Sequence, residues 1–313
     1  MRIGVITPAH DVAPYIADAI GSVLAQTHTD WRMVVVDDGS HDQTADVVAR
    51  RPDPRIDLIR QLRGGVSAAR NRGIGALDAA ALLFLDADDW LAPDAMAVLA
   101  ATLEASPWAA AAAGAYAPVR TDRSLGPVRR PPGGDHLERM LVRNPFANGG
   151  HLLIRQEAVA AAGWFRADLR YGEDWEYWVR VALQGEFVTT RERHPLCFVR
   201  ERRGSAYRRM ASDPNAFAPC LQAIFTNPDL RSRIGAAHLA VLRQRAEAEN
   251  AWVVGRELIR HGHDADGLEW LRRSAVSEPS PKRLAIAAAA GWAGLLPEDW
   301  RGPFRPYEVS AAE

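Results

Sequence analysis

Three carboxylates, Asp86, Asp88 and Asp89, stand within four residues directly behind the apolar run Leu82-Leu83-Phe84-Leu85. A run with no polar residue is the pattern of a strand buried on both faces, as in a parallel sheet. Acidic groups crowded at the end of such a strand repel one another, and if buried they cost several kcal/mol unless neutralised. A cation is therefore expected among them. Oxygen-only ligands on a short turn suit Mg²⁺ or Mn²⁺, which keep open positions for the oxygens of a phosphate. An Asp-rich helix cap ahead of Pro93 is the other reading of the same residues.

A second group of carboxylates lies in Tyr171-Gly172-Glu173-Asp174-Trp175-Glu176. The stretch opens a helix, and acids in a first turn are favoured by the macrodipole alone. The functional alternative is that Glu173 or Asp174 points into a site as a general base, shielded by Trp175 and Trp178. Farther on, Arg200, Arg202, Arg203, Arg208 and Arg209 crowd a segment broken by Gly204 and Ser205. Such a segment is either solvated surface or a lid that closes over phosphates.

These groups need elements to hold them. Arg2 to Thr7 reads as a strand stopped by Pro8, and residues 13 to 26 as a helix with Ile16, Ala19, Ile20, Val23 and Leu24 on its buried face. Trp31 to Val36 is again a strand, followed by the turn Asp37-Asp38-Gly39-Ser40. Asp42 to Arg51 reads as a helix, Ile56 to Arg60 as a strand, and Ser67 to Leu77 as a helix after Gly64 and Gly65. This alternation predicts a parallel sheet with right-handed crossovers, whose ligands sit outside the carboxyl ends of the strands. Downstream, a helix is expected over Pro93 to Glu104, strands over Trp108 to Tyr116 and Gly149 to Ile154, a short helix over Glu157 to Ala162, and strands over Phe187 to Thr190 and Leu196 to Arg200. From Asp213 the pattern is wholly helical: Ala237 to His261, Asp264 to Val276 and Lys282 to Gly294. These helix pairs are similar to tetratricopeptide units, and too few are present to bury their own faces. The division expected is residues 1–212 as a catalytic domain, 213–300 as a helical extension, and 301–313 as a tail.

The chain of 313 residues is 48% hydrophobic and 25% charged, with a formal net charge of −1. That balance lacks the basic excess a nucleic-acid binder needs. Cys197 and Cys220 form neither a metal knuckle nor a disulfide framework and read as buried apolar residues in a reducing compartment. The start shows no signal-peptide pattern, and no apolar run reaches the roughly 20 residues of a membrane span. A cytoplasmic location is expected, at most peripheral to the inner membrane face. The dinucleotide glycine fingerprint and the Gly-rich phosphate loop with Lys are both missing, so a nucleotide would be held by metal and carboxylates.

Six ordered motifs carry a resemblance. Thr7-Pro8-Ala9-His10-Asp11, Ser22-Val23-Leu24-Ala25-Gln26-Thr27, Asp37-Asp38-Gly39-Ser40, Gly65-Val66-Ser67-Ala68-Ala69-Arg70-Asn71, Asp86-Ala87-Asp88-Asp89 and Gly172-Glu173-Asp174 resemble those of inverting family 2 glycosyltransferases of the GT-A fold. The likeness runs over residues 1 to 200. It implies an α/β fold with a mostly parallel, Rossmann-like sheet, followed here by a helical extension outside the resemblance. It also implies a hexosyltransferase-type enzyme that moves a sugar from a UDP- or dTDP-linked donor to an acceptor hydroxyl, with Mn²⁺ or Mg²⁺ as cofactor. Thr7, Pro8, Ala9, Asp11 and Asp38 match nucleotide-end positions, with Asp38 accepting from a base imide, and Arg70 matches the nucleotide end of the pocket. Asp86 matches a ribose and metal contact, Asp88 a metal ligand, and Asp174 the catalytic base. Members often carry Arg-x-His in the loop after the last strand. Here Arg200-Glu201-Arg202 stands instead, and an arginine cannot ligate a metal but can clamp a phosphate. The expected partners are the nucleotide-sugar donor, a hydroxyl acceptor and a second copy bound through the helical extension. The alternatives are a catalytically inactive nucleotide-sugar-binding scaffold and a sugar-nucleotide nucleotidyltransferase.

Overall fold

The computed structural model describes residues 1–131, 136–201 and 213–290. The strands are β1 (Ile3–Ala9), β2 (Trp31–Asp38), β3 (Ile56–Gln61), β4 (Ala81–Phe84), β5 (Trp90–Leu91), β6 (Ala109–Ala113), β7 (Tyr116–Val119), β8 (Leu152–Arg155), β9 (Glu186–Thr189) and β10 (Cys197–Arg200). The first seven helices are α1 (Ile16–Leu24), α2 (Thr44–Ala49), α3 (Val66–Ile74), α4 (Ala95–Glu104), α5 (Leu137–Val142), α6 (Gln156–Ala162) and α7 (Glu173–Ala182). They are followed by α8 (Ala218–Phe225), α9 (Pro228–Ile234), α10 (Ala236–Arg260), α11 (Asp264–Ser277) and α12 (Pro281–Ala290). The chain divides into two compact units, Met1–Met140 with Asn144–Arg202, and Leu141–Arg143 with the chain after Arg202.

In the first unit a seven-stranded sheet runs β3-β2-β1-β4-β8-β6-β9. The pairs β1–β2, β2–β3, β1–β4 and β6–β9 are parallel, and only β8 runs against both its neighbours, β4 and β6. Pairing of Ala9 with Asp37 and of Ile6 with Phe84 brings the carboxyl ends of β1, β2 and β4 to one edge. The β4 residues are all buried, as their uninterrupted apolar run requires. On the other side of β1, α3 packs so closely that a Cβ added at Gly73 would lie 2.4 Å from Ile6 Cγ2. Only a glycine lets the helix descend that far onto the sheet.

The strand expected over Trp108 to Tyr116 is two strands. Backbone partners change at Gly114 and Ala115: the Gly114 amide donates to His151 O at 2.8 Å, and Ala115 O accepts from Leu196 N at 2.7 Å. Beyond this switch β7 joins a second, three-stranded sheet of order β5-β10-β7. The helix α5 and the two-residue strand β5 have no counterpart in the sequence reading, because neither is long enough to show a period.

In the second unit α10 and α11 pack together, with Trp252, Ile259 and Leu271 in their shared core. Their axes come close because Gly255 faces Gly267; a Cβ on Gly267 would stand 2.7 Å from Gly255 O. The helix expected over Lys282 to Gly294 is seen as α12 up to Ala290, and its remainder lies outside the described residues. Among the described residues no helix is long and apolar enough to cross a membrane.

Candidate active site

The turn after β2 is built around two buried acids. Asp37 Oδ1 accepts the Ser40 amide at 3.0 Å, and Oδ2 faces Arg60 at 3.2 Å. Asp38, only 4% exposed, accepts from Gln61 Nε2 and the Gly64 amide on Oδ1, both at 2.7 Å, and from the Gly65 amide on Oδ2 at 2.8 Å. Asp38 thus fixes the loop that leads into α3, and Oδ2 retains capacity for one further donor. At the end of β1 the side chains of Thr7 and Ala9 are enclosed, whereas Pro8 and His10 reach the surface. Asp11 adopts a left-handed backbone (φ 48°) and accepts the His41 amide at 2.7 Å.

The next layer centres on Arg70. Its guanidinium, 5% exposed, donates from Nη2 to Asp86 Oδ1 at 3.1 Å and from Nη1 to Glu173 Oε1 at 3.0 Å. One α3 residue therefore ties the acids after β4 to the first turn of α7. Burial disfavours its charge, but Asp86, Glu173 and Asp174 outweigh that and hold its pKa above the ordinary value. The neighbouring Asn71 reinforces the link: its amide donates to Phe165 O at 2.9 Å, and its carbonyl accepts from Phe165 N at 2.8 Å. Phe165 in turn stacks on Tyr177 of α7 with ring centroids 3.7 Å apart.

Glu173 is engaged by Arg70, whereas Asp174 accepts from other groups. Oδ1 accepts its neighbour's amide, Trp175 N, at 2.6 Å, and Oδ2 has Asn144 Nδ2 at 3.5 Å. Desolvation, then the charge of Glu173, against the pull of Arg70, push its pKa up to about 7. A carboxyl so poised can exchange a proton near neutral pH, the property a general base needs.

Asp86 and Asp88 both retain exposed surface. No third His, Cys, Asp or Glu among the described residues completes a closed metal-ligand cluster with them. Two carboxylates on a turn fit a cation that takes its remaining ligands from water and phosphate, as Mg²⁺ and Mn²⁺ do, and do not fit an all-protein cage. Asp89 is different. It is 3% exposed, and its carboxylate accepts the Arg200 amide at 2.7 Å and the Asn148 side-chain amide. It pins β10 to the turn after β4. Arg200 itself donates to Asp88 O at 3.0 Å and to Asp18 Oδ2 at 2.6 Å, and lies over the Trp90 and Tyr15 rings. Its side chain must leave Asp18 before it can clamp a phosphate. Arg202 and the remaining arginines of that loop lie outside the described residues.

The family model for glycosyl transferase family 2 matches residues 4–213, which takes in every strand described above except Ile3, the first residue of β1. This chain belongs to that family. The succinoglycan biosynthesis protein ExoO of Rhizobium meliloti is 44% identical over 90 residues, 28% of this chain and 26% of that protein. Across the first curated relatives the matched stretch spans 14% to 36% of their length. Among solved structures, S. aureus TarS 1-349 in complex with UDP-GlcNAc aligns with a TM-score of 0.59 and 16% identity over 94% of this chain and 92% of that one. The mannosyltransferase PcManGT of Pyrobaculum calidifontis, in complex with GDP-Man and Mn²⁺, aligns with a TM-score of 0.59 and 21% identity over 97% and 84%. The family 2 chain thus has the GT-A architecture its motifs implied.

Of the residues singled out from sequence, Arg70, Asp86 and Asp174 come together, with Glu173 as an added member. Asp38 and Pro8 lie on the same edge of the sheet. Three residues that contact the elements of this candidate site were not legible as such: Asn71, Asn148 and Asn144. Each acts through a contact between segments remote in sequence. The only trace of Asn71 was its place beside Arg70 in the fourth motif.

Proposed function

We propose that this chain is a divalent-cation-dependent, inverting glycosyltransferase that moves a sugar from a nucleotide diphosphate to an acceptor hydroxyl, with Asp174 as base. The observation that carries the reading is the Arg70 bridge, which draws Asp86 and the first turn of α7 together while forming its ion pairs with Asp86 and Glu173, so that burial still pushes the Asp174 pKa up to about 7. In this reading Asp38 Oδ2 accepts the imide N–H of a uracil or thymine, which favours UDP- or dTDP-linked donors. Pro8 and the backbone of Thr7 and Ala9 line the base, and Asp11 stands at its rim. Asp86 and Asp88 would hold Mn²⁺ or Mg²⁺, which supplies charge neutralisation for the departing diphosphate. Asp174 takes the proton of the attacking hydroxyl as it approaches the face opposite the leaving group, and proton transfer of this kind is worth about 10²- to 10⁴-fold. The division of labour expected is a transferase domain over 1–212, with the helices after it serving in self-association.

The neighbours support a nucleotide-diphosphate sugar as donor, since TarS is solved with UDP-GlcNAc and PcManGT with GDP-Man and Mn²⁺; the pyrimidine preference rests on Asp38 alone. A nucleotidyltransferase would share the carboxylate-held Mg²⁺, but it would want a Gly-rich phosphate loop after the first strand, and Pro8 to Pro14 carries none. Calorimetry with UDP, dTDP and GDP, with and without Mn²⁺, tests the reading. Mn²⁺-dependent binding of a pyrimidine diphosphate that disappears in Asp88→Ala and survives in Asp174→Asn is the expected result. Binding indifferent to Mn²⁺ and to Asp88 would overturn the metal assignment.

A further inference from the structure

Beside the nucleotide edge, and outside the carboxylates just described, two imidazoles and a carboxylate converge from two loops. His10 and Asp11 follow β1, and His41 follows β2. His10 Nε2 lies 3.3 Å from Asp11 Oδ2, and His41 Nδ1 lies 3.9 Å from the same oxygen. One ligand atom from each of the three sits within 4.8 Å of the others. Two ligands bonded to a cation at about 2.0–2.1 Å in tetrahedral directions stand about 3.3 Å apart. The His10 to Asp11 spacing already has that value, and His41, 82% exposed, is free to close the remainder by side-chain rotation.

The tautomer of His10 strengthens the case. Its Nδ1 lies 3.0 Å from Asp38 O, and a carbonyl oxygen can only accept, so Nδ1 carries a hydrogen. In neutral His10 the lone pair is then on Nε2, aimed at a carboxylate oxygen that also carries lone pairs. A cation between them removes the repulsion, and a backbone carbonyl receiving the far N–H is the support that metal-bound imidazoles usually have. Asp11 Oδ1 accepts the His41 amide at 2.7 Å, while Oδ2 is the oxygen near both imidazoles.

We propose that His10, Asp11 and His41 form a second cation site, selective for the zinc class of divalent metals and separate from the carboxylates after β4. Two imidazole nitrogens with one carboxylate suit Zn²⁺, Ni²⁺ or Cu²⁺ and disfavour Mg²⁺. Three protein ligands leave a fourth position open to water or to a ligand at the base-binding edge. The bound metal cross-links the loops after the first two strands.

The test is calorimetry of the whole chain with ZnCl₂ in excess Mg²⁺, which fills oxygen-only sites, together with histidine NMR. The expected result is one Zn²⁺ per chain, affinity lowered about 10-fold or more in both His10→Ala and His41→Ala, unchanged affinity in Asp88→Ala, and Zn²⁺-induced shifts confined to His10 and His41. His41 is exposed, so His41→Ala keeps the test valid if His10→Ala fails to fold. Zn²⁺ binding that is missing from the wild-type chain, or that His41→Ala leaves intact, overturns the proposal, as do shifts at other histidines alone.

Discussion

Asp174→Asn should make the protein more stable as it removes the proposed base, and the gain should depend on pH in a calculable way. In the folded chain the Asp174 carboxyl is raised from 3.8 to about 7, so the folded state binds more protons than the unfolded state between those values. Stability is consequently lost as pH rises through that window. An asparagine mimics the neutral acid at every pH, and its Oδ1 can still accept from Trp175 N. Treating Asp174 as a single group, the advantage of the Asn variant is near zero well below pH 4, about 2 kcal/mol at pH 5 and about 4 kcal/mol at pH 8. At about 2–4 °C per kcal/mol for a domain of this size, Tm should rise by about 10 °C at pH 8. Urea unfolding of the two proteins in parallel at pH 5, 6.5 and 8 reads this directly, because groups common to both cancel. Equal stability at pH 8, or a gain that does not grow between pH 5 and pH 8, would refute the claim that Asp174 is held ionised at a cost.

His151 is enclosed, with Nδ1–H donated to Gly114 O at 2.9 Å and Nε2 accepting from Ala147 N, and burial lowers its pKa to about 4. Because the unfolded histidine protonates first, its contribution is present above about pH 6.5 and lost as pH falls toward 4, about 3 kcal/mol in all. His151→Gln, which can keep both hydrogen bonds, should flatten that part of the acid-unfolding curve, and an unchanged curve would contradict it. Gly73→Ala forces a methyl to 2.4 Å from Ile6 Cγ2 and should cost about 1–3 kcal/mol in chemical denaturation, with part recovered in the Ile6→Ala background. Arg70→Met leaves Asp86 and Glu173 without their shared cation and should cost about 3–5 kcal/mol. It should also move the Asp174 titration, followed by NMR, to higher pH; a downward or null shift would show that Arg70 does not govern it.

Much of the frame could be read from pattern because its signals are local. The β4 run, the α1 face and the crossover alternation each lie within a dozen residues, and the acids at strand ends follow from them. What escaped depends on pairing. The split of the Trp108 to Tyr116 segment is invisible in a chain of small residues, since it arises where Gly114 and Ala115 change backbone partners. The distinction among Asp86, Asp88 and Asp89 is likewise tertiary: Asp89 is consumed by Arg200 N and Asn148, whereas the other two keep exposed surface. Glu173 and Asp174 are equivalent on paper, and only the position of Arg70, 103 residues from Glu173, separates their roles. Arg200 shows the converse: the sequence marks it as a phosphate clamp, and its side chain is seen on Asp18, Asp88 O and two rings, contacts that no local pattern announces.

The most direct measurement is anomalous diffraction at the manganese edge from crystals grown with UDP and Mn²⁺. The account predicts a manganese peak bonded to the Asp88 carboxylate and to the diphosphate, the uracil against Asp38 Oδ2, and Asp174 facing the position of the missing sugar. A manganese peak remote from Asp86 and Asp88, or a nucleotide seated away from Asp38, would contradict it.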